Sequence, residues 1–159
     1  MTKEEILKKI KDRFGAKIKE VFEKSHKRVY ITIEPRDITD FARFTFGDLE
    51  ARFNTASCVD MPNGMELLYH FTIEKAGVVM SFRTYLDKKA LEIDSITPIM
   101  KGAEWIEREI HELFGVDFAN HPNLKPLLLP DDWPQGLYPL RRDYKEEEYE
   151  KRMSEKDNK

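Results

Sequence analysis

The chain has 159 residues, of which 40% are apolar and 36% are charged, and its 27 basic and 30 acidic residues leave a net charge of -3. This length suits one domain with its own hydrophobic core. The near balance of charges lacks the basic excess typical of nucleic-acid-binding proteins, so we expect no nucleic-acid partner. The single cysteine, Cys58, cannot form an internal disulfide or supply the several thiolates of an iron–sulfur cluster.

The chain also lacks the apolar segments of exported or membrane-spanning proteins. Its N-terminus is charged and amphipathic, without the apolar run of a signal peptide. No uncharged apolar stretch approaches the roughly 20 residues that a membrane-spanning helix requires. We therefore expect an intracellular protein that does not cross a membrane by itself.

The first part of the chain predicts two helices and two strands. After Thr2, which can cap a helix, apolar residues recur at helical spacing until Gly15. From Ile18 apolar and polar residues alternate, which predicts two strands joined by a polar turn and ended by Pro35. A second, short helix is expected after Asp37.

The middle of the chain predicts a run of strands joined by tight turns. Asn63 and Gly64 form a dipeptide typical of β-hairpins. The turns leave no room for a helix between consecutive strands, which argues against parallel βαβ units. We therefore predict an α+β domain over 1–115, with an antiparallel sheet flanked by helices. Its later strands are predicted over 51–59, 66–74, 78–85 and 91–96.

A compact helix is predicted from Trp105 to Phe114, and Gly115 ends it. Its apolar residues fall on one side, and its charged residues fall largely on the other. A charged helix face is commonly stabilised by opposite charges four residues apart. The pairs expected here are Glu104–Arg108, Glu107–His111 and Arg108–Glu112.

The same helix offers residues for a metal site or an acid–base pair. Glu107 and His111 are four residues apart, which puts them on one helix face, and His121 lies beyond the glycine. No second histidine follows at the spacing of a metal-binding helix, so we expect the charged face instead. The chain contains neither the glycine-rich nucleotide-binding motifs nor the G-x-S-x-G motif of serine hydrolases.

The stretch 116–144 is unusual because it combines five prolines with six leucines and Trp133. Long loops of this kind are usually functional, and apolar surface that a small domain cannot cover points to a partner protein. Arg141 and Arg142, near its end, could bind carboxylates of that partner. Alternatively, the stretch wraps around its own sheet and buries its leucines there. The residues alone leave this choice open.

Three motifs follow one another between residues 107 and 144. They read Glu107-Arg-Glu-Ile-His-Glu-Leu-Phe-Gly115, Asn120-His-Pro122 and Pro139-Leu-Arg-Arg-Asp-Tyr144. Their order and separation resemble the signature of the 30-kDa subunit family of respiratory complex I. The upstream chain fits that family in length and strand order.

The resemblance implies a subunit without a redox cofactor. Family members pack against the large catalytic subunit, which forms the quinone site in complex I and the nickel–iron site in related hydrogenases, near an iron–sulfur subunit. They lie in the hydrophilic arm of the complex, on the cytoplasmic side in prokaryotes. Their extended C-terminal segment lies along the large subunit, so the resemblance favours a partner-binding segment at 116–144. The charged tail that follows, 145–159, is expected to be either a solvated helix or disordered.

The resemblance also implies interface or family-motif roles, without catalysis or metal binding, for a set of residues in and after the helix. These are Glu107, Arg108, Glu109, Glu112, Phe114, Gly115, His121, Pro122, Trp133, Pro139, Leu140, Arg141, Arg142 and Asp143. The link 129–139 is similar to the branch found in energy-converting, membrane-bound nickel–iron hydrogenases. We therefore expect a docking subunit of such an ion-translocating complex, peripherally attached to the inner face of the cell membrane.

Three other interpretations stay open. The parent complex could be a complex I-like dehydrogenase that uses NADH and quinone, or ferredoxin. The chain could be a stand-alone metalloenzyme built on His111 and His121. It could also be a general binding module that shares the fold alone.

Overall fold

The computed structural model describes residues 1–157. This part of the chain contains four α-helices and seven β-strands. The helices are α1 (Lys3–Phe14), α2 (Ile38–Gly47), α3 (Glu104–Phe114) and α4 (Glu146–Asp157). The strands are β1 (Ile18–Ser25), β2 (Arg28–Ile33), β3 (Arg52–Met61), β4 (Gly64–Ile73), β5 (Val78–Asp87), β6 (Glu92–Asp94) and β7 (Asp117–Ala119).

The first helix begins with a capping box. The Thr2 hydroxyl accepts a hydrogen bond of 3.2 Å from the N–H of Glu5, and the Glu5 carboxylate accepts one of 2.8 Å from the N–H of Thr2. Ile6 and Ile10 are fully buried, so one side of α1 packs into the core. The prediction for this segment is confirmed, with Gly15 as the C-cap.

Five strands form one sheet in the order β1-β2-β5-β4-β3. Neighbouring strands are antiparallel except β2 and β5, which are parallel, with Tyr30 opposite Ser81. The α+β prediction is confirmed, but the prediction of a purely antiparallel sheet is wrong at this pair. The connection from β2 to β5 contains α2 and the β3–β4 hairpin, and parallel neighbours need a long connection of this kind.

The hydrophobic core lies on one face of this sheet, where α1 and α2 pack. Alternate residues of β4, from Met65 to Ile73, are at most 1% exposed, whereas the residues between them face the other side of the sheet. Aromatic contacts link the helices to the sheet, from Phe14 through Phe41 to Phe82, with ring centroids 4.0 and 5.2 Å apart. The sheet and the first two helices therefore form one rigid support.

A second, two-stranded sheet connects the two ends of the α3 region. Strands β6 and β7 pair in parallel, with Ile93 opposite Phe118. The short strand predicted within 91–96 is thus confirmed as β6. Strand β7 was not predicted, because three residues are too few to show an alternating pattern. The pairing holds the start of 116–144 beside the loop that enters α3.

The charged tail forms the helix α4, so of the two alternatives for this tail the helix is correct over 146–157. The last two residues of the predicted tail, 158–159, lie outside the described part of the chain. Across residues 1–157, no helix combines the length and the apolar character that spanning a membrane requires.

Candidate functional site

Three charged residues of α3 are buried in the protein. Glu107 is fully buried, Arg108 is 9% exposed and Glu112 is 7% exposed. The expectation of a charged face stabilised by ion pairs within the helix is wrong. None of the three expected side-chain pairs along α3 forms an ion pair within residues 1–157, because these side chains bind groups outside the helix.

Glu107 binds the loop that precedes α3. Its carboxylate accepts hydrogen bonds from the hydroxyl of Ser95, from the hydroxyl of Thr97 at 2.7 Å and from the N–H of Ile96 at 2.8 Å. Burial raises the pKa of Glu107, and these hydrogen bonds, together with nearby His121, offset only part of that rise. The hydrogen bonds therefore fix the position of the Glu107 carboxyl group, but its ionisation lowers the stability of the folded chain.

This pKa shift predicts a specific pH dependence of stability. Since the pKa of Glu107 in the folded chain is above its ordinary value of 4.5, ionisation opposes folding, and this opposition disappears as pH falls toward 4.5. Urea unfolding should show that the wild type becomes more stable relative to the non-titrating variant Glu107→Gln when the pH is lowered from 7 to 4.5. A constant or reversed difference between the two proteins would contradict the assignment.

Arg108 and Glu112 hold residues 125–129, which we call the clamped stretch. Arg108 donates from Nε to the carbonyl of Lys125 at 2.8 Å and from Nη2 to that of Pro126 at 2.6 Å. Glu112 accepts from the N–H groups of the three leucines that follow, Leu127 at 2.9 Å, Leu128 at 2.7 Å and Leu129 at 3.3 Å. Two side chains of α3 thus satisfy two carbonyls and three N–H groups of a backbone that forms no strand.

Gly115 and Arg141 join the first and last sequence motifs. Arg141 donates from Nε to the carbonyl of Phe114 at 2.6 Å, and its guanidinium lies 4.1 Å from the ring centre of Tyr138. Gly115 has a φ of +76°, and a Cβ atom there would lie 2.5 Å from the Tyr138 ring and would also collide with Arg141. The N–H of Leu140 donates to the carbonyl of Leu113 at 3.1 Å. The C-terminus of α3 therefore accepts a cation and an N–H group from the third motif.

The next residue, Arg142, has an exposed side chain, whereas Arg141 is half-buried. The N–H of Arg142 donates to the carboxylate of Asp60 at 2.8 Å, and Lys88 binds the same carboxylate at 2.9 Å. Burial alone would raise the pKa of Asp60, but these donors and the charge of Arg141 lower it overall. Asp60 thus ties the end of 116–144 to the C-terminal end of β3. Of the two arginines, only Arg142 is open to a partner's carboxylate.

Residues 130–138 form a loop that we call the Trp133 loop. The indole N–H of Trp133 donates to the carbonyl of Leu137 at 2.7 Å, and Leu137 is 6% exposed. A cleft of about 310 Å³ lies between this loop and α3, next to His111 and Glu112. The loop is therefore folded against the domain, with its own internal hydrogen bonds.

The two histidines of the metal hypothesis bind separate backbone groups. The N–H of Asn123 donates to Nδ1 of His121 at 3.0 Å, so Nε2 of His121 carries a proton and donates to the carbonyl of Glu104 at 3.1 Å. His111 contacts the carbonyl of Val116 through Nδ1 at 2.8 Å. Over residues 1–157, no three His, Cys, Asp or Glu side chains converge as a metal site would require.

Three large apolar side chains remain exposed on and beside α3, and we call them the apolar rim. They are Trp105, 68% exposed, Leu128, 61% exposed, and Leu140, 53% exposed. Leu128 and Leu140 are held beside α3 by their own N–H groups, which bind Glu112 and the carbonyl of Leu113. The segment 116–144 therefore packs on its own domain, as one of the two alternatives expects, but it leaves Leu128 and Leu140 exposed. Binding of a partner through this segment stays a prediction.

The other residues singled out from the sequence are spread around this arrangement. Pro122 and Asp143 are exposed, Glu109, Phe114 and Pro139 are half-buried, and the side chain of His121 is fully buried. Sequence reasoning missed Trp105, Ser95, Thr97 and Asp60. For Trp105 a signal existed, because it is a large apolar residue next to the apolar side of the helix. Asp60 is more than 80 residues from its partner Arg142, and no local pattern joins them.

Comparisons with known proteins agree with the three motifs. The model of the family "Respiratory-chain NADH dehydrogenase, 30 Kd subunit" matches residues 31–150. A subunit of the F(420)H(2) dehydrogenase of Methanosarcina mazei is 33% identical over 142 residues, which cover 87% of this chain and 89% of the relative. A subunit of the NADH-quinone oxidoreductase of Citrifermentans bemidjiense is 33% identical over 141 residues, covering 86% and 85%.

Solved structures give the same result. A chain of the membrane-bound sulfane sulfur reductase, an archaeal respiratory membrane complex, superposes with a TM-score of 0.78 at 26% identity, covering 96% of this chain and 91% of that one. A trypsin-resistant fragment of Nqo5 shares the fold, with a TM-score of 0.63 at 17% identity over 74% of this chain and 98% of that one. The resemblance inferred from the motifs is confirmed, and the chain belongs to the respiratory-chain NADH dehydrogenase 30-kDa subunit family.

Proposed function

We propose that the chain is a non-catalytic docking subunit, without a redox cofactor of its own, in the hydrophilic arm of a membrane-attached, ion-translocating oxidoreductase complex. The apolar rim carries this proposal, because three large apolar side chains stand exposed beside a segment that α3 holds rigidly. Buried apolar anchors surrounded by polar groups are typical of protein–protein interfaces. The partners are the large catalytic subunit and a neighbouring iron–sulfur subunit, which attach the chain to the cytoplasmic face of the membrane.

In this proposal the motif residues divide into two roles. Glu107, Arg108 and Glu112 are braces inside the subunit, because their polar atoms are already bound to its own loops. The rim and the exposed Arg142 are the contact residues. A rigid presenting surface lowers the entropic cost of binding, since the segment is ordered before the partner arrives.

Substitutions in the rim test the docking role. Trp105→Ala and Leu128→Ala should each weaken binding to the co-expressed large subunit at least about tenfold, as expected for central apolar anchors. The matched control is Phe46→Ala, because Phe46 on α2 is 45% exposed but lies outside the rim. The affinities are measured with purified subunits. The proposal is refuted if the rim variants bind as tightly as the wild type, or if all three variants lose affinity equally.

For the parent complex, we propose an energy-converting nickel–iron hydrogenase or a close relative of one. The link 129–139 supports this type. The likeness to a chain of the sulfane sulfur reductase supports a membrane-bound respiratory complex without selecting the hydrogenase type. A complex I-like dehydrogenase is the second candidate, favoured by the F(420)H(2) dehydrogenase and NADH-quinone oxidoreductase relatives. Purification of the native complex decides between them. A large subunit with paired C-x-x-C nickel ligands indicates a hydrogenase, and one without them indicates a dehydrogenase.

A further inference from the structure

Helix α4 packs on the Trp133 loop through one side of the helix. The ring of Tyr149 stacks on Trp133, with centroids 4.7 Å apart and planes 25° apart. One turn later, Arg152 donates to the carbonyl of Gln135 at 3.0 Å, and after another turn Lys156 donates to that of Asp132. These three side chains are spaced three and four residues apart, so they share a helix face.

Apart from these contacts, α4 has an ion pair of its own between Arg152 and Glu148, and partly exposed pairs of this kind contribute little stability. It has 12 residues, and isolated helices shorter than about 12 to 15 residues are marginal in water. Of its side chains only Tyr149 and Met153 are large and apolar, and Tyr149 is the one that stacks on the loop. The folding of α4 therefore depends on its contact with the Trp133 loop.

The loop in turn differs from the clamped stretch in what holds it. The clamped stretch is bound by the buried side chains of Arg108 and Glu112. The carbonyls of Asp132 and Gln135 are instead bound by the side chains of Lys156 and Arg152 of α4. Removal of α4 thus leaves the clamped stretch intact and takes from the loop the stack of Tyr149 on Trp133 and two hydrogen bonds. Trp133 keeps its contact with Tyr144, whose ring centroid lies 6.5 Å away.

We propose that the segment 116–144 has two independently held halves, and that α4 is a staple whose folding and the ordering of the Trp133 loop are coupled. The ordering of the clamped stretch does not involve α4, whereas the ordered state of the loop is more populated while α4 is folded on it. Because the two equilibria are linked, a change that detaches α4 lowers the population of the ordered loop, and a ligand that binds the ordered loop raises the population of folded α4. A half-buried aromatic stack with two exposed hydrogen bonds corresponds to a coupling of about tenfold in the ratio of the ordered to the disordered loop.

Backbone amides report on each half separately. The N–H groups of Trp133 and Leu137 are bonded within the loop, to the carbonyls of Pro130 and Pro134, whereas those of Leu127 and Leu128 are bonded to Glu112. In a chain truncated after Lys145, hydrogen exchange at Trp133 and Leu137 should accelerate about tenfold or more, with Leu127 and Leu128 unchanged. Unchanged exchange at Trp133, or equal acceleration in both halves, would overturn the proposal.

The variant Tyr149→Ala separates the contribution of the Trp133 contact to α4 from that of helix propensity. Alanine is the best helix former, so Tyr149→Ala would strengthen α4 if the helix were autonomous. Under the proposal the same variant loses protection of the α4 amides about tenfold, because the stack on Trp133 is removed. The control is Lys151→Ala, since Lys151 is exposed in the middle of the same helix and its helix propensity is close to that of alanine, so both α4 and the loop should be unchanged. Full protection of α4 in Tyr149→Ala would show that the helix does not depend on the loop.

The consequence for docking rests on the proposed function. If the Trp133 loop forms part of the contact surface, the truncated chain should bind the large subunit about tenfold more weakly, because the loop must then be ordered on binding. Equal binding of the truncated and full-length chains would overturn this consequence. A wild-type chain that binds no large subunit would overturn the proposed function instead, and the exchange experiment would still decide the coupling.

Discussion

Replacement of Glu112 by alanine is expected to release the clamped stretch from α3 and to lower the free energy of unfolding by about 3 kcal/mol. The side chain is 7% exposed and accepts hydrogen bonds from three consecutive N–H groups, Leu127 to Leu129. Alanine supplies no acceptor, so these groups lose their partner where solvent access is limited. Urea unfolding measures the total effect, and amide exchange at Leu127 and Leu128 shows whether it originates in this stretch.

Two further variants separate the acceptor from the charge and from the helix. Glu112→Gln keeps one carbonyl-type oxygen but replaces the other with a donor that faces an N–H group, so its effect should be intermediate. Glu109→Ala, at a half-buried position on the same helix, should cost less than about 1 kcal/mol. If Glu109→Ala destabilised the chain as much as Glu112→Ala, the clamp would not be the cause.

The charged residues of α3 show what a helical pattern can and cannot predict. Spacing correctly placed Glu107, Arg108 and Glu112 on a polar side of the helix, but it could not say what covers that side. The cover is backbone, supplied by the loop before α3 and by the proline-punctuated stretch after it. Because proline interrupts β-ladders, the remaining N–H and C=O groups of such a stretch need side-chain partners when they pack on a domain. The sequence showed a polar side on α3 and a proline-rich stretch without strand partners. It did not show that the one binds the other.

The sheet gives a second example. The hairpin between β3 and β4 is local, and Asn63-Gly64 predicted it. The parallel pairing of β2 with β5 joins residues about 50 positions apart, with Tyr30 opposite Ser81, and no local sequence pattern predicts it. A longer separation in sequence lies between Asp60 and the third motif. The sequence motifs indicated the family without any knowledge of these long-range contacts, which became visible only in the structure.

Gly115→Ala is expected to lower the free energy of unfolding by about 3 kcal/mol, through two separate costs. The residue has a φ of +76°, which a side chain adopts only with strain, and its added Cβ would lie 2.5 Å from the Tyr138 ring and collide with Arg141. Relief of that collision displaces the guanidinium that binds the carbonyl of Phe114. The third motif would then detach from the end of α3, and Leu140 of the rim would move with it.

Gly77 provides the matched control, because it has a similar φ of +60° but no atom within 4 Å of an added Cβ. Gly77→Ala should therefore show the backbone cost alone, about 1 kcal/mol. The difference between the two variants measures the packing of Tyr138 and Arg141 against the end of α3. Equal destabilisation by both variants would mean that glycine is required at position 115 only for its positive φ. A larger loss for Gly115→Ala, accompanied by weaker binding to the large subunit, would show that the glycine also positions the docking surface, because Gly77 lies in a turn away from the rim.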